Sequence, residues 1–199
     1  FRSVLAVGEA YDAMCAKLVA EAKRIVVGDG MEPGVTMGPV ISAAHREKVL
    51  SYIEKGIAEG ATLALDGRGF KHPKHPDGYF LGPTLFTDVK PDMVIAQEEI
   101  FGPVLCVMKA DSFDQAIDIV KAHDLGNASS IFTSSGKAAR EYRYRVEPSM
   151  LGVNIGVAAP MAFFPFGGAK GSFFGDLKAH GRDAIEFYTD KKVTITRWF

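Results

Sequence analysis

The sequence predicts an α/β domain with a largely parallel sheet. Apolar runs of strand length alternate with segments of helical period along most of the chain, the order that lays crossover helices on a parallel sheet. One run, Val104-Leu105-Cys106-Val107-Met108, is apolar without interruption, as suits a strand covered on both faces. The 199 residues are enough for one domain with a full core.

In chain order, residues 3–7 read as a short apolar strand. A helix is predicted from Glu9 to Val26, because Tyr11, Met14, Cys15, Leu18, Ala22 and Ile25 recur on one helical face. Gly28, Gly30, Pro33 and Gly34 end it and open a loop that runs through Gly38-Pro39. Ser42 is the expected N-cap of the next helix, with Val49, Leu50, Ile53 and Ile57 facing inward and Gly60 at its end. Residues 61–65 read as a strand, and residues 67–78 as an exposed loop in which His72 and His75 are solvated. Residues 79–89 read as extended, and Gly82-Pro83 inside them suggests an irregular or edge strand.

Gly102-Pro103 marks the turn into the strand at Val104, since Pro can begin a strand but not sit at its centre. Ser112-Phe113-Asp114-Gln115 is a capping-box pattern, followed by Ala116, Ile117 and Val120 as a buried face. Residues 128–133 read as a strand, 137–146 as a helix and 150–155 as another strand. Residues 156–175 carry five phenylalanines among glycines and prolines with no regular period. An aperiodic loop of that length is unusual in a compact domain unless it has a function. A short helix near residues 182–187 leads to an alternating tail, with Val193, Ile195 and Arg197 on one side and Thr194, Thr196 and Trp198 on the other. A terminal amphipathic strand must pair with something, and a second chain is one candidate.

Composition narrows the function. Hydrophobic content of 47% and charged content of 24% are ordinary for a soluble globular protein. A net charge of −1 argues against a nucleic-acid or anionic-membrane partner, either of which favours a basic face. No apolar run reaches the roughly 20 residues that span a bilayer. The chain starts without Met, in what reads as mid-strand, so a fragment of a longer protein is expected. Two dissimilar cysteines, Cys15 and Cys106, point to a reduced, cytoplasmic chain rather than a disulfide framework. Both read as structural, because neither has a neighbouring cation or helix N-terminus to lower its pKa. The five histidines show no metal-ligand spacing, so no metal is expected, and Pro165-Phe166-Gly167-Gly168 lacks the spacing of a phosphate loop.

The most informative stretch is Gln97-Glu98-Glu99-Ile100-Phe101-Gly102-Pro103-Val104. Two carboxylates and an aromatic ring are expected at the mouth of the sheet, where α/β proteins usually place ligands. On residue type alone, Glu98 and Glu99 read first as solvated loop charges and Phe101 as core. The motif E-E-I-F-G-P-V, however, resembles one in the aldehyde dehydrogenase superfamily. That resemblance implies that Glu99 holds the nicotinamide ribose of NAD and that Phe101 packs beside the nicotinamide. A ribose diol suits a carboxylate, which accepts hydrogen bonds from adjacent hydroxyls.

Gly152-Val153-Asn154-Ile155 followed by Pro165-Phe166-Gly167-Gly168 resembles a second motif pair of that superfamily. It implies that Asn154 braces the active-site loop and that Phe163, Phe164 and Phe166 line the acyl pocket, although aromatic packing within a folded loop accounts for Phe163 and Phe164 equally well. The segments 159–166, 171–177 and 186–199 are similar to the CoA-acylating methylmalonate-semialdehyde (malonate-semialdehyde) branch.

The resemblance covers essentially the whole chain and implies a three-layer αβα catalytic domain, with residues 1–186 as the catalytic portion and 187–199 as an oligomerisation strand or tail. In the complete enzyme a cysteine thiol captures a small aldehyde, hydride passes to NAD, and the thioester goes to coenzyme A with loss of CO2. That nucleophile stands in a motif absent here and is expected upstream of Phe1, so the chain by itself is expected to hold no catalytic residue and to be inactive. The resemblance also implies a homo-oligomer joined through the tail that begins at Lys192 and ends at Trp198. The alternatives are a catalytically inert structural or oligomerisation domain and a hydrolytic, non-acylating aldehyde dehydrogenase.

Overall fold

The uninterrupted apolar run forms the inner strand of a sheet. In the computed structural model, which describes residues 3–199, β1 (Ser3–Val7), β2 (Thr62–Leu65), β3 (Thr84–Thr87) and β4 (Val104–Ala110) line up in the order β1-β4-β3-β2. Strand β4 pairs in parallel with β1 and β3, and only β2 runs antiparallel. Strand side chains alternate between faces. Leu85 and Val107 accordingly join Ala6 and Tyr11 in one core cluster with Met14 and Leu18 of α1 (Ala10–Ala22). Phe86, Cys106 and Met108 join the opposite cluster with Val49 and Ile53 of α2 (Ala43–Ala58) and Ile95 of α3 (Val94–Gln97). Helices therefore cover both faces of a mostly parallel sheet, the expected α/β layering.

These elements lie in the first of two compact units, which ends at Ala116; the second runs from Ile117 to Phe199. Helix α4 (Phe113–Ala122) carries the chain across that boundary, with the Ser112 hydroxyl accepting the Gln115 N–H at 3.1 Å, as the capping pattern predicts. In the second unit β5 (Leu125–Gly126) pairs antiparallel with β8 (Ala169–Lys170). Strands β6 (Ala128–Ile131) and β7 (Met150–Val153) pair in parallel, with α5 (Gly136–Arg145) in the connection between them. Helix α6 (Gly181–Phe187) precedes the tail.

Several predicted elements change for identifiable reasons. Helix α1 stops at Ala22 instead of Val26, because the Val26 carbonyl accepts the N–H groups of Thr36 and Met37 and its own N–H goes to the Thr36 hydroxyl. The Ser42 side chain does cap α2, accepting the His45 N–H at 3.1 Å, but Tyr52 is buried there and Ile57 is not. His72 is 6% exposed instead of solvated, stacked on Phe80 with ring centroids 4.8 Å apart. Gly82-Pro83 precedes β3 without marking an edge, and β3 is an interior strand with all four residues buried. The four-residue α3 and the two-residue β5 and β8 have no period long enough to show in a sequence. The tail after α6 forms no regular element and, among the described residues, belongs to no strand pair.

Tyr11 fastens α1 to the end of β3. Its hydroxyl donates to the Asp88 carboxylate at 3.0 Å and accepts the Asp88 N–H at 2.6 Å. Burial, with the Asp88 charge adding to it, pushes the Tyr11 hydroxyl up to about 12. A hydrogen bond from Thr62, then those from Tyr11 and Thr87, hold the Asp88 carboxyl below its usual range. A carboxyl lowered on folding contributes stability that is full above its unfolded value, roughly 3.9, and is lost as pH falls through the folded value. The melting temperature should therefore drop as pH falls below about 4 and on through the lowered folded value, and Asp88→Asn should shallow that drop. Asn suits the left-handed φ of 55° at this position. Identical pH slopes for the two proteins, measured by calorimetry, would remove Asp88 from the acid response.

Candidate active site

Residues 98–103 form a loop that helix α2 pins at three points. Glu98 leaves α3 in extended conformation, and its carboxylate accepts a hydrogen bond from the Tyr52 hydroxyl. That bond, with burial second, raises the Tyr52 pKa. At Gly102 a Cβ would stand 2.6 Å from a methyl of Val49, so only glycine lets the loop lie this close to the helix. His45 Nε2 lies 2.7 Å from the Phe101 carbonyl oxygen. A carbonyl can only accept, so this ring nitrogen carries the proton. Buried Ile100 anchors the loop between these contacts.

The pinned loop divides the two glutamates between different roles. Glu98 is committed to Tyr52, whereas Glu99 is exposed and, among the described residues, no donor holds its carboxylate. Phe101 sits at φ 55°, which a bulky residue adopts only where its surroundings impose it. Its ring is 73% exposed rather than in the core. Glu99 and Phe101 thus present an acceptor and an aromatic face from one short, fixed segment. The loop precedes β4, so it lies at the amino end of that strand and not at the carboxyl ends where open α/β sheets usually bind ligands. That corrects the expectation from the motif alone. His45 was missed as well, although His45, Val49 and Tyr52 share one face of α2 at the i, i+4, i+7 spacing.

In the second unit Asn154 holds the residue pair after β6. Its side-chain oxygen accepts the Thr133 N–H at 2.8 Å, and its amide nitrogen donates to the Thr133 carbonyl at 3.0 Å. Its own N–H reaches Ile131, and its φ is 57°. Asn154→Ala should lower stability by about 1–3 kcal/mol, from two lost hydrogen bonds and a left-handed alanine. Asn154→Gly should lose less, since glycine relieves the backbone; equal losses in the two variants by denaturant titration would contradict this account.

The phenylalanine loop is ordered by backbone contacts. Phe166 exchanges both backbone hydrogen bonds with Ala179, at 2.6 and 2.9 Å, and its ring meets His180 at 5.6 Å between centroids. Phe163 and Phe164 are exposed and tilt together at 4.7 Å. Lys178 Nζ donates to the Gly168 carbonyl at 2.7 Å and lies 4.0 Å over the Phe173 ring. This segment presents an aromatic surface on a backbone that is already tied down.

Neither thiol is arranged for attack. Cys106 is fully buried and points at the Ile95 carbonyl 3.5 Å away. Cys15 is half-buried, and burial pushes its thiol up. Among the described residues no His, Cys, Asp and Glu side chains gather in a group that could hold a metal ion, and no helix is long and apolar enough to cross a membrane.

A parallel sheet covered by helices and a Glu-Glu-x-Phe-Gly-Pro loop braced from one helix agree with the family comparison, in which residues 2–194 match the aldehyde dehydrogenase family. The chain belongs to that family. It is 47% identical over 195 residues to malonate-semialdehyde dehydrogenase of Halalkalibacterium halodurans, a match covering 98% of this chain and 40% of that protein. A crystal structure from Sinorhizobium meliloti 1021, assigned as a methylmalonate-semialdehyde dehydrogenase and complexed with NAD, superposes with a TM-score of 0.97 at 39% identity, covering 100% of this chain and 40% of that one. The methylmalonate-semialdehyde dehydrogenase of Oceanimonas doudoroffii gives 0.95 at 43% identity, covering 98% and 40%. The chain thus spans about 40% of the length of these relatives.

Proposed function

We propose that this chain forms part of an NAD-dependent, CoA-acylating dehydrogenase that converts malonate or methylmalonate semialdehyde to an acyl-CoA with loss of CO2. The observation that carries the reading is the division of labour in the loop: Tyr52 takes Glu98, leaving Glu99 as an exposed acceptor beside the exposed Phe101 ring. Such an exposed carboxylate and aromatic face fit a nicotinamide riboside. Glu99 would accept hydrogen bonds from the ribose hydroxyls, and Phe101 would offer its ring to the nicotinamide. Bound NAD would supply the hydride acceptor. Phe163, Phe164 and Phe166 would shape the acyl pocket, and Asn154 would keep Thr133 in place. The nucleophile belongs to neither Cys15 nor Cys106, in keeping with their burial. The names of the relatives support the semialdehyde substrate.

The test uses a protein that carries this chain at the full length of its relatives. Malonate semialdehyde, NAD and CoA should yield NADH and acetyl-CoA in equal amounts, with CO2 released. Equal rates with and without CoA, giving free acid, would shift the reading to a hydrolytic enzyme. No NADH at all would sink it. The same reading pairs residues 192–198 with the sheet of a second copy, supported by Ile195 and Trp198 at 95% and 90% exposure. A light-scattering mass of one subunit would remove that part.

A further inference from the structure

We infer that His45 and Tyr52 of α2 are positioning residues for the nucleotide: they hold loop 98–103 in the conformation that presents Glu99 and Phe101. The inference rests on the proposed NAD reading and extends it to a helix outside the motif. Three residues on one face of α2 touch three different residues of the loop: Tyr52 to Glu98, Val49 against Gly102, and His45 to the Phe101 carbonyl. Each contact restrains a different freedom. The Tyr52 bond fixes which glutamate turns toward the helix. Without it either carboxylate could, and the acceptor offered to a ribose would be an average of two arrangements. The His45 bond holds the peptide of a residue whose φ of 55° is otherwise disfavoured, and with it the direction of the Phe101 ring. Neither side chain needs to touch the nucleotide. Both act by removing alternatives before it arrives, which lowers the ordering cost of binding.

His45 is the cleaner test, because it is half-exposed in the first turn of α2 and alanine favours a helix. In the full-length protein, His45→Ala should raise the KM for NAD about three- to tenfold, the range that one hydrogen bond represents, while kcat changes less than twofold. His45→Gln, which retains an N–H donor, should restore most of the loss. Tyr52→Phe should act in the same direction. In a Phe101→Ala background, His45→Ala should add little, since the ring it directs is already gone. Unchanged KM in His45→Ala would overturn the inference. So would parallel losses in kcat and melting temperature without a selective KM effect, or fully additive losses in the double variant. Should Glu99→Gln itself bind NAD as the parent does, the nucleotide reading fails first. Should Glu99→Gln weaken binding while His45→Ala does not, only the positioning role fails.

Discussion

Glu99→Gln in the full-length protein is expected to weaken NAD binding by about tenfold or more, leaving the melting temperature nearly unchanged. A hydrogen bond to a charged group contributes about 1.5–3 kcal/mol, or roughly 10- to 150-fold in affinity. Glutamine keeps one carbonyl acceptor but replaces the other oxygen with a donor, so it cannot accept from both hydroxyls of a diol through equivalent atoms. The fold should not notice. Glu99 is exposed, no donor among the described residues holds it, and a surface change of this kind stays within about 0.5 kcal/mol. Glu98→Gln makes a useful contrast: it alters the partner of Tyr52, so it should act on loop placement more than on the ribose contact. Isothermal titration with NAD and a thermal melt on each variant check both halves. Parent-like NAD affinity in Glu99→Gln would withdraw the ribose assignment.

Phe86→Ala should destabilise the protein by about 3–5 kcal/mol, the usual range for emptying a phenylalanine site in a packed core. Phe86 is fully buried on the face of β3 that α2 and α3 cover. The space beyond its ring is already committed: a Cβ on Gly56 of α2 would lie 3.0 Å from the tip of Phe86 and 2.9 Å from a terminal carbon of Ile95. Glycine in a helix interior is less stable than alanine by about 1 kcal/mol, so its presence here reflects crowding rather than propensity. Two results follow. Gly56→Ala alone should destabilise, against the helix scale, because overpacking outweighs the propensity gain. Added to Phe86→Ala, the same change should recover part of the loss, since the ring is gone and its space lets the Ile95 side chain move aside. Denaturant midpoints for the two single variants and the double variant test this. Strict additivity would show that the ring and the glycine are not coupled.

Acid sensitivity at Asp88 and the bracing by Asn154 each concern one residue's local contacts and should give smaller effects. Both depend on left-handed residues, with φ of 55° and 57°, whose tolerance by Asp and Asn comes from short side chains that bond nearby backbone. Nothing in residue type alone distinguishes them from other polar loop residues.

What could be read from the chain was whatever physical chemistry repeats locally. The apolar run of β4 announced a strand covered on both sides, the Ser42 cap announced the start of α2, and Gly102-Pro103 announced the turn that enters β4. These signals survive because period, capping and turn chemistry act within a few residues. The three-dimensional arrangement decided the rest. It buried His72 against Phe80, ended α1 early by engaging Val26 with Thr36 and Met37, and made β3 an interior strand. It put the loop at the amino end of β4. Above all it separated Glu98 from Glu99, two adjacent and chemically identical side chains, by giving one of them Tyr52 from 46 positions away. A hydrogen bond across that span leaves no local trace in sequence, because only the packing of α2 on the sheet brings its two ends together.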